Sequence, residues 1–229
     1  MQPSSFKTHK IFLTFLCILR PPQNKVLAML NAVMIDLETF STEVNAVVTS
    51  IGAVVFDPRN REAVDMTYLD FLPVQQQIDA GRRLDYGSLR FWILQSGGAR
   101  KSNFSDDIAK ASESKDLDQA LHDFRNFVSL VAQNIKVPQD DLELWSNGPA
   151  FDEAILRALY ESRRIEFPFA YNAGRDFRTI ARAAYPKTGR VPLTIPKDSV
   201  KHNALDDAKW QAEGVKMCYA KLYSRQKDD

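Results

Sequence analysis

Residues 32–40 have the sequence AVMIDLETF, an apolar run followed by two acids, which is typical of a central strand. Asp36 and Glu38 lie two positions apart, so a strand would place both side chains on the same face. Two carboxylates on one face repel each other unless a proton or a cation lies between them. Taken alone, this segment has two interpretations: a site for a shared cation, or solvated surface charge at the end of a strand.

The chain after this strand carries further strand signals and then helical ones. Residues 47–56 are rich in β-branched residues and predict a second strand, and Asp57-Pro58-Arg59-Asn60 predicts the turn of a hairpin. Residues 97–116 are polar and predict a loop with one helical turn at most. The remaining predicted elements are strands at 63–72 and 142–145, and helices from 117 until Pro138 ends the helix, from 149, from 177 and at 204–222. This order predicts a single α/β domain with a mixed sheet.

A third acid, Asp152, follows the strand predicted at 142–145. The segment Asn147-Gly148-Pro149 between them predicts a tight turn, with the proline at the first position of a helix. A strand, a turn and a helix in this arrangement can direct an acid of the first helical turn back towards the strand ends. The same acid would also complement the helix dipole without any further role.

The last predicted helix opens with His202-Asn203-Ala204-Leu205-Asp206-Asp207. Asn203 is a suitable N-cap residue, and Asp206 three positions later makes a pattern close to a capping box. Capping therefore accounts for these two residues without any function. His202 and Asp207 are left as candidates for chemistry, although a lone histidine at such a place is more often a surface residue.

Three short motifs occur in order: Asp36-Leu37-Glu38-Thr39, Phe151-Asp152, and the segment from His202 to Asp207. Together with Ser50-Ile51-Gly52-Ala53-Val54 and Arg175-Asp176-Phe177-Arg178-Thr179, this set resembles the DEDDh group of 3′–5′ exonucleases. The resemblance covers residues 33–222 and is greatest to the nuclease domain of exodeoxyribonuclease VIII and to mycobacterial-type 3′–5′ exoribonucleases. It implies a ribonuclease H-like fold, with a mixed β-sheet flanked by α-helices in a single domain.

The resemblance also implies roles for five residues. Asp36, Glu38, Asp152 and Asp207 would hold two divalent cations, and His202 would act as the general base. Hard carboxylate oxygens favour Mg²⁺ or Mn²⁺ over zinc. Two such cations, roughly 3.5–4 Å apart, can activate a water and stabilise the leaving oxygen of a phosphodiester. A histidine can take up and release the proton of that water near neutral pH.

Four other side chains are candidates for substrate contacts: Thr39, Phe40, Phe151 and Arg178. Thr39 and Phe40 follow the first acids, where similar enzymes meet the terminal nucleotide, and Phe40 could stack on the last base. Phe40 and Phe151 could equally be core aromatics. Arg178 could contact phosphate, or it could take part in an ion pair within a helix capped by Asp176.

The net charge of the 229-residue chain is +1, well below that of a domain that binds nucleic acid through bulk charge. The first 28 residues carry four basic and no acidic residues, which leaves 26 basic against 29 acidic residues in the rest. Substrate contacts would therefore come from a local basic rim and from bound cations. This favours short or single-stranded RNA or DNA, and a homodimer is compatible with the resemblance.

Residues 1–28 are interpreted as an extension outside the domain, which would occupy 29–229 with Met29 as its working start. The apolar run at 11–19 is too short to span a bilayer, although it has the length of a signal-peptide core. Cleavage after Ala32 would remove part of the first strand, so we expect neither export nor a membrane. Cys17 and Cys218 are distant from each other in sequence, which suits a reducing, cytoplasmic setting.

The expected function is a 3′–5′ exonuclease that releases 5′-monophosphates from single-stranded nucleic acid. One alternative is an accessory nuclease for proofreading or repair that works only with a polymerase or helicase. Another is a non-catalytic nucleic-acid-binding module of the same fold. The complete set of four acids and one histidine argues against the binding module, because binding alone would not require all five.

Overall fold

The computed structural model describes residues 31–59, 66–194, 196–197 and 199–225. Within them, one mixed sheet is formed by β1 (Ala32–Thr39), β2 (Val48–Phe56), β3 (Thr67–Phe71), β4 (Glu143–Ser146) and β5 (Gly174–Asp176). The spatial order of the strands is β3-β2-β1-β4-β5. The apolar run of the first motif is therefore the central strand, as its sequence predicted.

The directions of the strands bring the ends of β1 and β4 together. β1 pairs antiparallel with β2, where Asp36 lies opposite Gly52. It pairs parallel with β4, where Met34 lies opposite Trp145, and β4 pairs parallel with β5. Because parallel strands end at the same edge of a sheet, the segments that follow β1 and β4 meet there.

Helices cover both faces of this sheet. They are α1 (Val74–Asp79), α2 (Tyr86–Leu94), α3 (Gly97–Phe104), α4 (Asp106–Glu113), α5 (Leu117–Ile135), α6 (Asp152–Ser162), α7 (Phe177–Ala184) and α8 (Ala204–Arg225). A 3₁₀ turn, Gln139–Asp141, precedes β4. The expected single α/β domain, a mixed sheet flanked by helices, is confirmed.

The alternation of side chains along β1 separates two cores. Val33 and Ile35 pack with residues of α5 and α6 on one face of the sheet. Met34 packs with residues of α7 and α8 on the other face. Asp36 and Glu38 continue the series of Met34 at a period of two. The two acids therefore emerge at the end of β1 on the side of α7 and α8.

The predicted loop at 97–116 was wrong, because α3 and α4 occupy most of it. Each helix begins at a serine whose hydroxyl accepts a hydrogen bond from a backbone N–H three residues later. These bonds are Ala99 N to Ser96 Oγ at 3.2 Å and Ile108 N to Ser105 Oγ at 3.4 Å. Such caps stabilise helices too short to show a clear apolar period.

Other predictions were incomplete. The helix α1 and the three-residue strand β5 were not predicted. The third strand was expected from residue 63, whereas β3 begins at Thr67 and residues 60–65 lie outside the described ranges. The expectations for residues 1–28 also lie outside the described ranges. No helix within those ranges is both long enough and apolar enough to cross a membrane.

Candidate active site

A cleft opens at the edge of the sheet where β1 and β4 end. Its lining contains all five residues predicted to carry chemistry: Asp36, Glu38, Asp152, His202 and Asp207. They come from β1, from the start of α6 and from the start of α8. The other lining residues are Leu37, Asn147, Phe151, Arg178, Ser199, Lys201, Trp210 and Gln211.

The two acids of β1 differ in what their oxygens contact. Asp36 Oδ1 accepts a hydrogen bond from Nε2 of Gln211 at 2.6 Å. Glu38 is only 7% exposed, and no described residue donates a hydrogen bond to its buried Oε1. A buried carboxylate oxygen without a donor is costly. This atom is therefore suited to binding a cation.

Asp152 is buried and is the first residue of α6. Its Oδ1 accepts a hydrogen bond from the backbone N–H of Leu37 at 3.2 Å, so its carboxylate joins the helix start to β1. The preceding turn contains Gly148 with a φ of 128°, a conformation that glycine adopts far more readily than other residues. The strand, turn and helix thus direct the acid back to the strand, as the sequence suggested.

His202 and Asp207 lie at the start of α8. Asn203 caps this helix, since its Oδ1 accepts a hydrogen bond from the N–H of Asp206 at 3.2 Å. The capping box is not closed, because Asp206 Oδ2 accepts instead from the N–H of Val200 at 2.8 Å. Asp207 Oδ2 accepts from the N–H of His202 at 3.0 Å, which ties the histidine backbone to the helix.

Gly52 allows α8 to approach the sheet. A β-carbon at this position would lie 2.2 Å from the carbonyl carbon of Ala204 and 2.3 Å from the nitrogen of Leu205. The first turn of α8 therefore rests directly on β2, at the residue that pairs with Asp36. This close approach sets the distance between the strand acids and the residues at the start of α8.

The electrostatics of the cleft favour a bound cation. Burial raises the pKa of Asp36, and the charges of Asp152, Glu38 and Asp207 raise it further. Burial and the charges of Asp207 and Asp152 raise the pKa of Glu38 to about 8. Burial also raises the pKa of Asp152 to about 7, and burial raises the pKa of Asp207. Without a cation, burial therefore disfavours the charged form of each carboxyl group, and neighbouring carboxylates add to this effect at Asp36 and Glu38.

The residues present fit a divalent metal ion. One potential ligand atom from each of Glu38, His202 and Asp207 lies within 4.8 Å of the other two. Asp36 and Asp152 line the same cleft. Oxygen donors predominate, which suits a hard cation. The buried, donor-free oxygen of Glu38 is the observation that fits such an ion most directly.

The four predicted substrate residues are placed differently. Phe151 and Arg178 line the cleft, whereas Thr39 and Phe40 are not among its lining residues. Thr39 donates its hydroxyl hydrogen bond to the carbonyl of Ser41 at 2.7 Å. The Phe40 ring stacks on that of Phe104, with a centroid distance of 5.5 Å.

Arg178 is exposed and makes no ion pair with the cap residue Asp176. Its Nε donates to Oδ1 of Asn147 at 3.3 Å, in the turn between β4 and α6. Asp176 does cap α7, since its carboxylate accepts from the N–H groups of Arg178 and Thr179. The neighbouring Arg175 pairs with Glu143 at 3.2 Å. Of the two arginines, Arg175 and Arg178, it is therefore Arg178 that lines the cleft.

Sequence reasoning missed two residues that support the site. Gln211 lies four positions after Asp207, and this spacing on one helix face could have indicated it. Asn103 donates from Nδ2 to the backbone carbonyl of His202. It lies in the segment that was predicted to be a loop, so no periodicity pointed to it.

Three solved structures that share this fold are nucleases. The nuclease domain of 3′hExo, a DEDDh family member, bound to rAMP, has a TM-score of 0.59 and 15% identity, covering 86% of this chain and 93% of that chain. The cell-death related nuclease 4 (CRN-4) has a TM-score of 0.56 and 13% identity, covering 82% and 63%. The RNase domain of the yeast Pop2 protein has a TM-score of 0.51 and 12% identity, covering 87% and 80%. The fold is thus the ribonuclease H-like fold of the DEDDh nucleases.

The family model of the 3′-5′ exoribonuclease Rv2179c-like domain matches residues 31–219. The chain belongs to this Rv2179c-like family, and the resemblance drawn from its motifs is confirmed. No curated protein sequence matches the chain. Membership of this family points to a 3′–5′ exoribonuclease, and the fold is one that DEDDh nucleases share.

Proposed function

We propose that this chain is a metal-dependent exonuclease that hydrolyses single-stranded nucleic acid from the 3′ end and releases 5′-monophosphates. The convergence of four carboxylates and one histidine in one cleft carries this proposal. Burial makes the charged forms of Asp36 and Glu38 costly, and the charges of neighbouring carboxylates add to this cost. A purely structural role would not require such a cluster, whereas binding of cations would.

Asp36, Glu38, Asp152 and Asp207 would hold two cations, either Mg²⁺ or Mn²⁺. When bound, such a pair supplies a deprotonated water and stabilises the charge on the phosphate and on the leaving 3′-oxygen. The chain itself holds one oxygen of each of two carboxylates by a hydrogen bond. Gln211 occupies one oxygen of Asp36, and the backbone N–H of Leu37 occupies one oxygen of Asp152. The remaining oxygens are left for cations.

His202 would accept the proton of the attacking water as general base. A ring nitrogen of His202 lies within 4.8 Å of a carboxylate oxygen of Glu38 and of one of Asp207. The hydrogen bond from its N–H to Asp207 links the position of this base to that of a metal-binding acid. General-base catalysis of this kind contributes about 10²–10⁴-fold to a rate.

The rim of the cleft would bind the nucleotide itself. Arg178 and Lys201 supply positive charge in the lining, and we propose that they contact phosphates. Phe151, also in the lining, would lie against the terminal nucleoside. We also propose that Thr39 and Phe40 contact the nucleotide, because they directly follow the acids of β1.

The family description names exoribonucleases, and the 3′hExo structure contains rAMP, so RNA is the first substrate to examine. The near-neutral charge of the chain supports short or single-stranded substrates over long duplexes. Discrimination between RNA and DNA depends on how the pocket treats the 2′-hydroxyl. Both nucleic acids therefore belong in the test.

The test is a time course on single-stranded RNA and DNA oligonucleotides that carry a label at the 5′ or the 3′ end, with Mn²⁺ or with EDTA. With the 5′ label, we expect a ladder that shortens from the 3′ end in Mn²⁺ only. With the 3′ label, we expect immediate release of labelled mononucleotide. Asp36→Asn should abolish both, while Asp140→Asn, at an exposed aspartate far along the chain, should not.

Cleavage in the middle of the oligonucleotide, or shortening from the 5′ end, would contradict the proposed polarity. Cleavage that persists in EDTA would contradict the proposed role of the carboxylates. Absence of cleavage of both RNA and DNA in Mn²⁺ would favour a nuclease that requires a partner protein, or a module that only binds.

A further inference from the structure

Asn103 connects α3 to the histidine at the start of α8. Its side chain is only 3% exposed. The amide Nδ2 donates to the backbone carbonyl of His202, 99 residues away in sequence, and to the carbonyl of Ala99 at 2.9 Å. A buried amide that bridges two such distant segments fixes their relative position.

His202 has a backbone conformation that needs support. Its φ is 62°, in the left-handed region that residues with a β-carbon adopt only rarely. Such conformations persist where surrounding contacts hold them. The N–H of His202 donates to Asp207 at 3.0 Å, and its carbonyl accepts from Asn103. Both peptide groups that flank the histidine are therefore fixed by side chains.

The imidazole ring of His202 also contacts two aromatic rings. The Phe91 ring lies 5.0 Å from it between centroids, and the Trp92 ring lies 6.2 Å away, both nearly perpendicular to it. These aromatic contacts restrict the ring itself, whereas the backbone of His202 sets the point from which the ring extends. The backbone position depends on the two hydrogen bonds described above.

We propose that Asn103 is a positioning residue for His202: its amide holds the histidine backbone in the left-handed conformation that directs the ring at the cleft. This inference rests on the proposed function of His202 as the general base. Asn103 is not among the residues that line the cleft, so it acts through His202 and not on the substrate. Displacement of a catalytic group by about 1 Å can cost on the order of 100-fold in rate.

The first test compares Asn103→Leu with the wild type in steady-state cleavage of the oligonucleotide. We expect kcat to fall by about 10- to 100-fold, with KM changed by less than about twofold. The affinity for Mn²⁺, measured by calorimetry, should fall by much less than kcat, because no hydrogen bond joins Asn103 to any of the four carboxylates. Asn103→Ala removes the same amide without adding an apolar group, and replaces Asn103→Leu in every measurement if that variant does not fold.

Tyr160→Phe is the matched control. It also removes a buried hydrogen bond from a side chain to a backbone carbonyl, that of Tyr160 Oη to Leu121 at 2.7 Å, between α6 and α5. A general loss of stability would affect both variants alike. A loss of kcat confined to the asparagine variant would show that the effect passes through His202.

Two further measurements separate positioning from general destabilisation. In a His202→Ala background, Asn103→Leu should cause no further loss of kcat, since the residue to be positioned is absent. In an NMR spectrum of labelled histidines, where His202→Ala identifies the signal, Asn103→Leu should shift or broaden the ring resonances of His202. Tyr160→Phe should leave them in place.

Additive losses in the double variant, or an unchanged His202 resonance, would overturn the positioning role while leaving the proposed nuclease function standing. A wild-type protein without metal-dependent cleavage, or a fully active His202→Ala, would instead contradict the proposed function, and this inference would fail with it.

Discussion

At the scale of single residues, the carboxylates of the cleft make the metal-free protein sensitive to pH. The pKa of Glu38 rises from an ordinary value of 4.5 to about 8 in the folded chain. Between these values the folded state binds more protons than the unfolded state. Stability therefore falls as the pH rises from about 4.5 to about 8, because a raised carboxyl pKa favours the folded state only while the proton is bound.

Glu38→Gln should therefore stabilise the metal-free protein at pH 8. The amide removes the repelling charge, so the wild type should lose stability between pH 5 and pH 8 in EDTA more steeply than the variant. Thermal unfolding across this range measures the difference, at roughly 2–4 °C for each kcal/mol in a chain of this size. Glu161→Gln, at an exposed glutamate, should follow the wild type. If the unfolding temperature depended on pH equally in all three proteins, the burial of a charged Glu38 would not be what destabilises the metal-free protein.

Gln211 should matter for the affinity of the site for metal. Its hydrogen bond to Asp36 lowers the pKa of that carboxyl against the effects of burial and neighbouring charge. Gln211→Leu should therefore raise the pKa of Asp36 further, and protons should compete better with cations. Calorimetry at pH 7 should show weaker Mn²⁺ binding than in the wild type. Gln133→Leu, at an exposed position of α5, is the control and should bind Mn²⁺ as the wild type does.

Some residues of the site could be predicted from the sequence and others could not. The positions of the acids and His202 followed from motifs whose order resembles a known group. Gln211 could have been found from its spacing to Asp207, because side chains four apart lie on one helix face. Asn103 could not, since its role depends on a contact between segments 99 residues apart. Sequence carries local periodicity, but it does not show which distant backbone group a buried amide will meet.

At the scale of elements, the contact of α8 with β2 determines whether the two halves of the site meet. Gly52→Ala would place a β-carbon 2.2 Å from the carbonyl carbon of Ala204. The clash is between two backbones, so α8 must move away from β2. We expect a loss of about 1–3 kcal/mol in stability, as for other overpacked positions, together with a larger loss of turnover. Thermal unfolding and cleavage rates measured on the same samples would show this.

Gly97→Ala is the matched substitution, since a β-carbon there would meet nothing within 4 Å and the residue begins α3. It should be neutral or slightly stabilising, because alanine is the better helix former. A Gly52→Ala variant as active and as stable as Gly97→Ala would show that the close approach of α8 to β2 is not needed.

Elements with strong local signals were predicted well, and those held by tertiary contacts were not. The β-branched run of β2 and the apolar stripe of α5 are visible in sequence. The segment 97–116 is polar, and its helices depend on serine caps and on packing against the rest of the chain. The three residues of β5 form a strand only because they pair with β4. Three residues are too few to show a periodic pattern in the sequence.

At the scale of the whole molecule, the sheet order β3-β2-β1-β4-β5 could not be predicted from the sequence pattern. The hairpin signals predicted antiparallel members, but the parallel pairing of β1 with β4 joins segments more than 100 residues apart. That pairing brings Asp152 to the acids of β1. The ordered motifs implied the topology through resemblance, and the parallel register supplies its physical basis.

A shortened chain that begins at Met29 should fold and act as the full chain does. The matched family domain starts at residue 31 and β1 starts at Ala32, so the truncation leaves both complete. Unfolding temperature and cleavage rate should agree with those of the full chain within error. An insoluble or inactive shortened chain would show that residues 1–28 contribute to the domain.

The most direct test of the central claim measures metal binding and turnover in the same three proteins: wild type, His202→Ala and Asp207→Ala. His202→Ala should bind Mn²⁺ in calorimetry and lose about 10²–10⁴-fold in turnover, since it removes the general base alone. Asp207→Ala should lose both Mn²⁺ binding and cleavage. An Asp207→Ala protein that binds Mn²⁺ and cleaves like the wild type, or a His202→Ala protein with full turnover, would contradict the account.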